Sequence, residues 1–210
     1  MNIVIAALKL VVAAGVFAAA GYAGVALSRA IARYVQRPAP EAVRPEPPLV
    51  WFVVGSALFG AIADLRGMDT ETLALAAIIA IALVGSWHSV ATYGRIPDAF
   101  TLVPLLAIVL SELATQNWGI LLSVVVTFAP FATMAYVSKG KGLGWDDAKL
   151  AALGGALLGM ETALFGFALA CMVAVTVAWA RKRTREPIPF APYMVASMAL
   201  SLLVDFTPYS

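Results

Sequence analysis

Eight apolar runs, separated by short polar segments, constrain this chain more than any other feature. Of its 210 residues 62% are hydrophobic and only 12% are charged, which exceeds the apolar share of a soluble domain. A helix needs about 20 apolar residues to cross a bilayer. We place candidate spans at 4–28, 49–63, 72–92, 99–113, 118–138, 148–159, 162–180 and 189–207. The sequence therefore predicts an all-α fold, a polytopic transmembrane helical bundle of about eight spans.

The positions of the basic residues predict the orientation of these spans. With the amino terminus outside, twelve of the fourteen Lys and Arg residues fall at the cytoplasmic side, as the positive-inside rule requires. Two spans separate Asp98 from Asp147, so both carboxylates should lie at that side. Residues 1–48 are predicted to form the first transmembrane helix and a proline-rich cytoplasmic linker, and residues 49–210 the main transmembrane domain.

Composition also excludes several classes of function. The net charge of +2 gives no argument for binding nucleic acid, and the single Cys171 excludes an internal disulfide and a cysteine-based zinc site. The only histidine, His88, is interpreted as a packed or interfacial residue. We therefore expect neither a cofactor nor a metal ion.

A charged segment before the sixth span is the main candidate site. Residues 142–150 have the sequence GLGWDDAKL, with Asp146, Asp147 and Lys149 next to an apolar run. Ionisable groups at membrane depth are costly to desolvate and are retained mainly where they perform a function. The alternative interpretation is that they are solvated loop residues beside a helix end.

Three motifs occur in one order along the chain. They are RIPDAFTLVPLL at 95–106, GLGWDDAKLAALGGALLG at 142–159 and IPFAPYMVA at 188–196. In this order they resemble the signatures of type IV prepilin peptidases. The resemblance implies a GxGD intramembrane aspartyl protease in the inner (plasma) membrane of a prokaryote. It would lack the cysteine-containing methyltransferase domain of some members.

The resemblance also implies a substrate and partners. The substrate would be a type IV prepilin or pseudopilin-like precursor, whose leader is cleaved at the cytoplasmic face. The lipid bilayer would surround such an enzyme, and the resemblance implies pilus or secretion assembly proteins as further partners.

The match of individual residues is good at the second motif and incomplete before the first. Asp147 takes the place of the GxGD aspartate, because Ala148, Lys149 and Leu150 follow it, and Asp146 stands where the family has glycine. The family's first catalytic aspartate would align with Val90. Asp98 is then the best available second carboxylate, although the residue at this position in the family is accessory and not catalytic.

Two carboxylates are needed because hydrolysis without a metal or a covalent nucleophile requires one base and one protonated acid. The predicted catalytic residues are Asp147 and Asp98, and the residues predicted to line the site are Asp146, Lys149, Gly144, Pro97, Arg95 and Val90.

Two alternatives stay open. Val90 and Asp146 favour a catalytically degenerate homologue that binds pilin-like precursors or assembly proteins without cleaving them. A small transporter is supported by the intramembrane charges alone.

Overall fold

The computed structural model describes residues 3–36, 44–139, 143–181 and 190–205, and all regular structure within these ranges is helical. The helices are α1 (Ile3–Ile31), α2 (Leu49–Leu65), α3 (Thr70–Tyr93), α4 (Asp98–Ala114), α5 (Gly119–Val137), α6 (Trp145–Leu158), α7 (Met160–Ala180) and α8 (Ala191–Asp205). A π-helical turn, Ala32–Gln36, follows α1. The predicted all-α fold is confirmed.

Each predicted span coincides with one of these helices. The boundary between the sixth and seventh spans lies at Gly159, whose φ of 75° favours glycine and interrupts the helix. Within the described residues, four helices are long and apolar enough to cross a membrane: Val4–Tyr34, Thr70–Tyr93, Gly119–Val137 and Met160–Ala180. The number of crossings and the outer position of the amino terminus stay predictions.

Some of the segments used above fall outside the described residues. They are the part of the proline-rich linker at 37–43, positions 140–142, which include the first glycine of the second motif, the basic residues at 182–185, the first two residues of the third motif and the end of the eighth span.

The chain divides into two compact units, Met1–Pro97 and Asp98–Ser210. In the first unit, α1 packs against both α2 and α3. Phe17 of α1 is fully buried, with its ring centroid 5.3 Å from that of Phe59. A side chain at Gly60 would overlap the Phe17 ring, so this glycine allows close approach of α1 and α2. The predicted boundary at residue 48, between the first transmembrane helix with its linker and the main transmembrane domain, stays a prediction.

The first unit also contains a buried polar group of side chains, here called the serine–histidine cluster: Ser28 of α1 with His88 and Ser89 of α3. The Ser28 hydroxyl oxygen lies 2.9 Å from Nδ1 of His88 and 2.6 Å from the Ser89 hydroxyl oxygen. All three side chains are fully buried, and the rings of Phe52 and Tyr93 contact the His88 ring edge-on. His88 is thus packed, and the cluster joins α1 to α3.

In the second unit, α6 lies at the centre and contacts α4, α5, α7 and α8. Its buried residues are Ala148, Leu150, Ala151, Ala152, Leu153, Gly154, Gly155, Ala156 and Leu158. A side chain at Gly154 would overlap the Phe167 ring, and one at Gly155 would overlap Thr127. Small residues therefore let neighbouring helices enclose α6, which holds its amino-terminal end in a defined place.

Candidate functional site

Three carboxylates of the second unit lie at the starts of two helices. Asp98 is the first residue of α4, and Asp146 and Asp147 lie in the first turn of α6. Negative charge is favourable there because the free backbone N–H groups give a helix start a partial positive charge. Pro97, directly before α4, suits this position because it has no N–H to satisfy. Local helix physics therefore explains part of this acidic composition.

The side chain of Asp147 caps the start of α6 by a hydrogen bond with Gly144, the residue before the helix. The Gly144 backbone N–H donates a hydrogen bond to Oδ2 of Asp147, at 2.9 Å. Asp147 is partly buried and precedes the predicted span at 148–159. Burial raises the pKa of its carboxyl group, the Gly144 hydrogen bond opposes this rise, and the charge of Asp146 adds to it. The result is a carboxyl group that holds its proton to a higher pH than an ordinary aspartate.

Lys149 joins the starts of α4 and α6. Its Nζ lies 2.5 Å from Oδ1 of Asp98 and 3.8 Å from Oδ1 of Asp146. The side chains differ in exposure: 60% for Asp98, 34% for Asp146 and 29% for Lys149. We call these three residues the ion-pair cluster. It is open to solvent at Asp98 and partly buried at Asp146 and Lys149.

The other residues predicted to line the site belong to the first unit. Val90 is buried in the last turn of α3, and its carbonyl accepts a hydrogen bond from the Gly94 N–H at 3.1 Å. Gly94 has a φ of 72° and ends the helix. Arg95 is exposed and Pro97 is buried. Their role in lining the site stays a prediction.

The structure thus brings both Asp98 and Asp146 into contact with Lys149 and places Asp147 on the same first turn as Asp146. Sequence reasoning missed the pairing of Lys149 with Asp98, which lie 51 residues apart. The i, i+3 spacing of Asp146 and Lys149 was a usable signal for the second pair. Within the described ranges, no three or more His, Cys, Asp or Glu residues are grouped so that they could hold a metal ion.

Comparison with known proteins gives a family match to the segment that contains Asp98, Asp146, Asp147 and Lys149. The model of the type IV leader peptidase family matches residues 77–179. The matched segment runs from α3 to α7 and contains Val90, Asp98 and Asp147. The searches of curated proteins and of solved structures gave no match. The inferred resemblance is confirmed over this segment, which contains the first two motifs, 95–106 and 142–159, whereas the third, 188–196, lies outside it. Together with the apolar helices, it indicates a multi-pass membrane protein with a leader-peptidase-like protease segment of the aspartic type.

Proposed function

We propose, on the premise that residues 77–179 are a type IV leader peptidase segment, that this chain is a membrane-embedded aspartic endopeptidase. It cleaves the leader of type IV prepilin-like precursors at the cytoplasmic face of a prokaryotic inner membrane. Residues 49–210 form the peptidase domain, after the first transmembrane helix and its linker at 1–48. The family match, which spans both Asp98 and Asp147, is the observation that carries this proposal.

The surroundings of the two carboxylates suggest different roles. Asp147 is partly buried and its pKa is raised, which suits a protonated general acid. Asp98 is exposed and pairs with the Lys149 ammonium group, which suits an ionised base. Hydrolytic sites with two carboxylates need this asymmetry, because one group must accept a proton while the other donates one.

The reaction that follows balances without any added group. Asp98 takes a proton from water as the water oxygen attacks the scissile carbonyl carbon, and Asp147 gives its proton to the carbonyl oxygen. The tetrahedral intermediate then collapses, the C–N bond breaks, and the leaving amine takes the proton held by Asp98. The regenerated carbonyl oxygen returns its proton to Asp147, so both groups regain their starting state.

The cations near the site do not favour attraction of a basic leader. Arg95, Lys139 and Lys149 are all positive, and like charges repel. Recognition therefore rests on the apolar helix of the precursor, which packs among the spans of the peptidase. Pilus or secretion assembly proteins would receive the processed product.

A catalytically degenerate homologue is the second candidate function. It is favoured by Val90, which stands where the family resemblance implies the first catalytic aspartate, and by Asp146, which stands in place of the motif glycine. Such a protein would bind pilin-like precursors or assembly proteins without cutting them.

Leader cleavage of a co-expressed pilin-like precursor in membranes tests both candidates. The native chain should cleave, and Asp147→Asn and Asp98→Asn should not. Asp64→Asn is the matched control, because Asp64 lies in an Asp-Leu-Arg triplet that topology predicts at the opposite side of the membrane. Cleavage that is absent from the native chain and appears in Val90→Asp would instead establish the degenerate homologue.

A further inference from the structure

We propose that Lys149 is a positioning residue whose ammonium group holds the carboxylate of Asp98, at the start of α4, against the first turn of α6. The role in catalysis rests on the function proposed above, whereas the ion pair itself does not. Lys149 touches neither substrate nor reacting atoms in this proposal. It acts through Asp98.

The position of Lys149 is unfavourable for a cation without such partners. It lies in the second turn of α6, near the end where the helix dipole is positive and repels cations. Only 29% of its side chain is exposed, and loss of hydration is costly for an ammonium group. Asp98 on one side and Asp146 on the other offset both costs.

Asp146 has a specific part in this arrangement. It precedes Lys149 by three residues on the same helix, and their charged atoms are 3.8 Å apart. An acidic residue before a basic one at this spacing is a favourable orientation. The second carboxylate restricts the flexible lysine, so that its ammonium group stays beside Asp98. Asp146, which stands in place of the motif glycine, thus has a function of its own in holding Lys149. Asp147 keeps its role as the acid.

The consequence for cleavage is a change in turnover more than in substrate binding. Without the ammonium group, the exposed Asp98 side chain becomes free to take several rotamers. Misplacement of a catalytic group by about 1 Å can cost about 100-fold in rate. Lys149→Met should therefore lower kcat by about 10-fold to 100-fold and leave KM within about twofold. Lys149→Arg should restore most of the activity, because a guanidinium group can pair with both carboxylates.

The matched control is Lys9→Met. Lys9 is exposed in α1 of the first unit, and its substitution removes the same charge and adds the same side chain. It should change kcat by less than about twofold. A kcat for Lys149→Met equal to that of the native chain, or a loss as large in Lys9→Met, would overturn the positioning role.

A second measurement is independent of activity. Carbodiimide with no added amine joins a lysine to a carboxylate only when the two are in contact, through an amide bond formed with loss of water. Treatment of the purified full chain should yield a cross-linked peptide pair containing Lys149 and Asp98, detected by mass spectrometry. The pair should be absent from Lys149→Met and from Asp98→Asn.

The two measurements separate failure of the inference from failure of the proposed function. A native chain that does not cleave any precursor overturns the peptidase, and the cross-link alone then decides whether Lys149 holds Asp98. A native chain that cleaves but gives no Lys149 to Asp98 cross-link keeps the peptidase and overturns the inference.

Discussion

The serine–histidine cluster of the first unit and the ion-pair cluster of the second both join helices through polar side chains, yet their surroundings are opposite. Ser28, His88 and Ser89 are fully buried. Asp98 and Lys149 are charged, and the Asp98 side chain is 60% exposed. The first cluster can stabilise the fold, because no solvent competes with its hydrogen bonds. Of the two, the second is accessible to water.

The difference in burial distinguishes two kinds of polar cluster that cannot be told apart in the sequence of a membrane protein. In the sequence alone, a histidine and two serines on apolar helices are as notable as two carboxylates and a lysine near helix starts. Burial distinguishes them: the shielded group is expected to affect stability, and the open group is expected to affect reactivity. Each of the following substitutions tests this separation.

The largest expected effect is on Asp147. Asp147→Asn should reduce leader cleavage by about 1000-fold, because a carboxamide cannot donate the proton that the acid supplies. The unfolding temperature of the purified protein should change little, since the amide oxygen can still accept the hydrogen bond from the Gly144 N–H. Cleavage is measured as the precursor-to-product ratio over time, together with thermal unfolding. A variant that cleaves at the native rate would contradict the role of Asp147.

A smaller loss is expected at Asp98. Asp98→Asn should reduce cleavage by about 100-fold, since water activation by a base contributes a factor of this size. Because the Asp98 side chain is largely exposed, little stability should be lost. A single-turnover assay with detergent-solubilised precursor gives the rate. If Asp98→Asn lowers the unfolding temperature and leaves the rate intact, the ion-pair cluster is structural and the contrast fails.

The opposite behaviour is expected in the serine–histidine cluster. His88→Ala should cost about 2 kcal/mol of unfolding free energy, because it leaves a cavity and removes the hydrogen-bond partner of Ser28. Cleavage per folded molecule should be unchanged. His88→Asn is the control, since its side-chain amide can replace Nδ1 as the hydrogen-bond partner of Ser28, and it should lose less stability. A His88→Ala protein of native stability that no longer cleaves would show that the buried cluster serves the reaction.

The smallest effect is expected at Gly155, where a substitution should lower both the stability and the rate of cleavage. An alanine methyl group at Gly155 would lie 2.7 Å from the Ser123 carbonyl oxygen and overlap Thr127, so α6 must shift away from α5. We expect Gly155→Ala to cost about 1 kcal/mol of stability and to slow cleavage about threefold, because α6 carries Asp147. Gly15→Ala is the control, since a methyl group there meets nothing within 4 Å. Equal unfolding temperatures and rates for the two variants would contradict the tight packing of α6.

Local pattern was sufficient for the helices and insufficient for the contacts between them. Each apolar run became one helix, and the break between the sixth and seventh was visible in the sequence as the segment Gly159-Met160-Glu161-Thr162. The pairing of Ser28 with His88 and of Asp98 with Lys149 was not, because 60 and 51 residues separate the partners. Such contacts depend on the rotation of each helix about its axis, which single-sequence periodicity does not determine when a helix is apolar on most faces. Val90 illustrates the same limit. The sequence was sufficient to align it with the family's first catalytic aspartate, but its burial became known only from the structure.

The shortness of α6 has a consequence for how a precursor must approach. Its 14 residues span about 21 Å, whereas the hydrocarbon layer is about 30 Å thick. If α6 crosses the bilayer as the sequence predicts, at least one of its ends would therefore lie below the lipid headgroups, and backbone outside a helix at that depth requires surrounding protein or a water-filled recess. On the function proposed above, a helical precursor that enters such a recess would have to unwind there, because its own backbone hydrogen bonds would otherwise shield the scissile peptide from water.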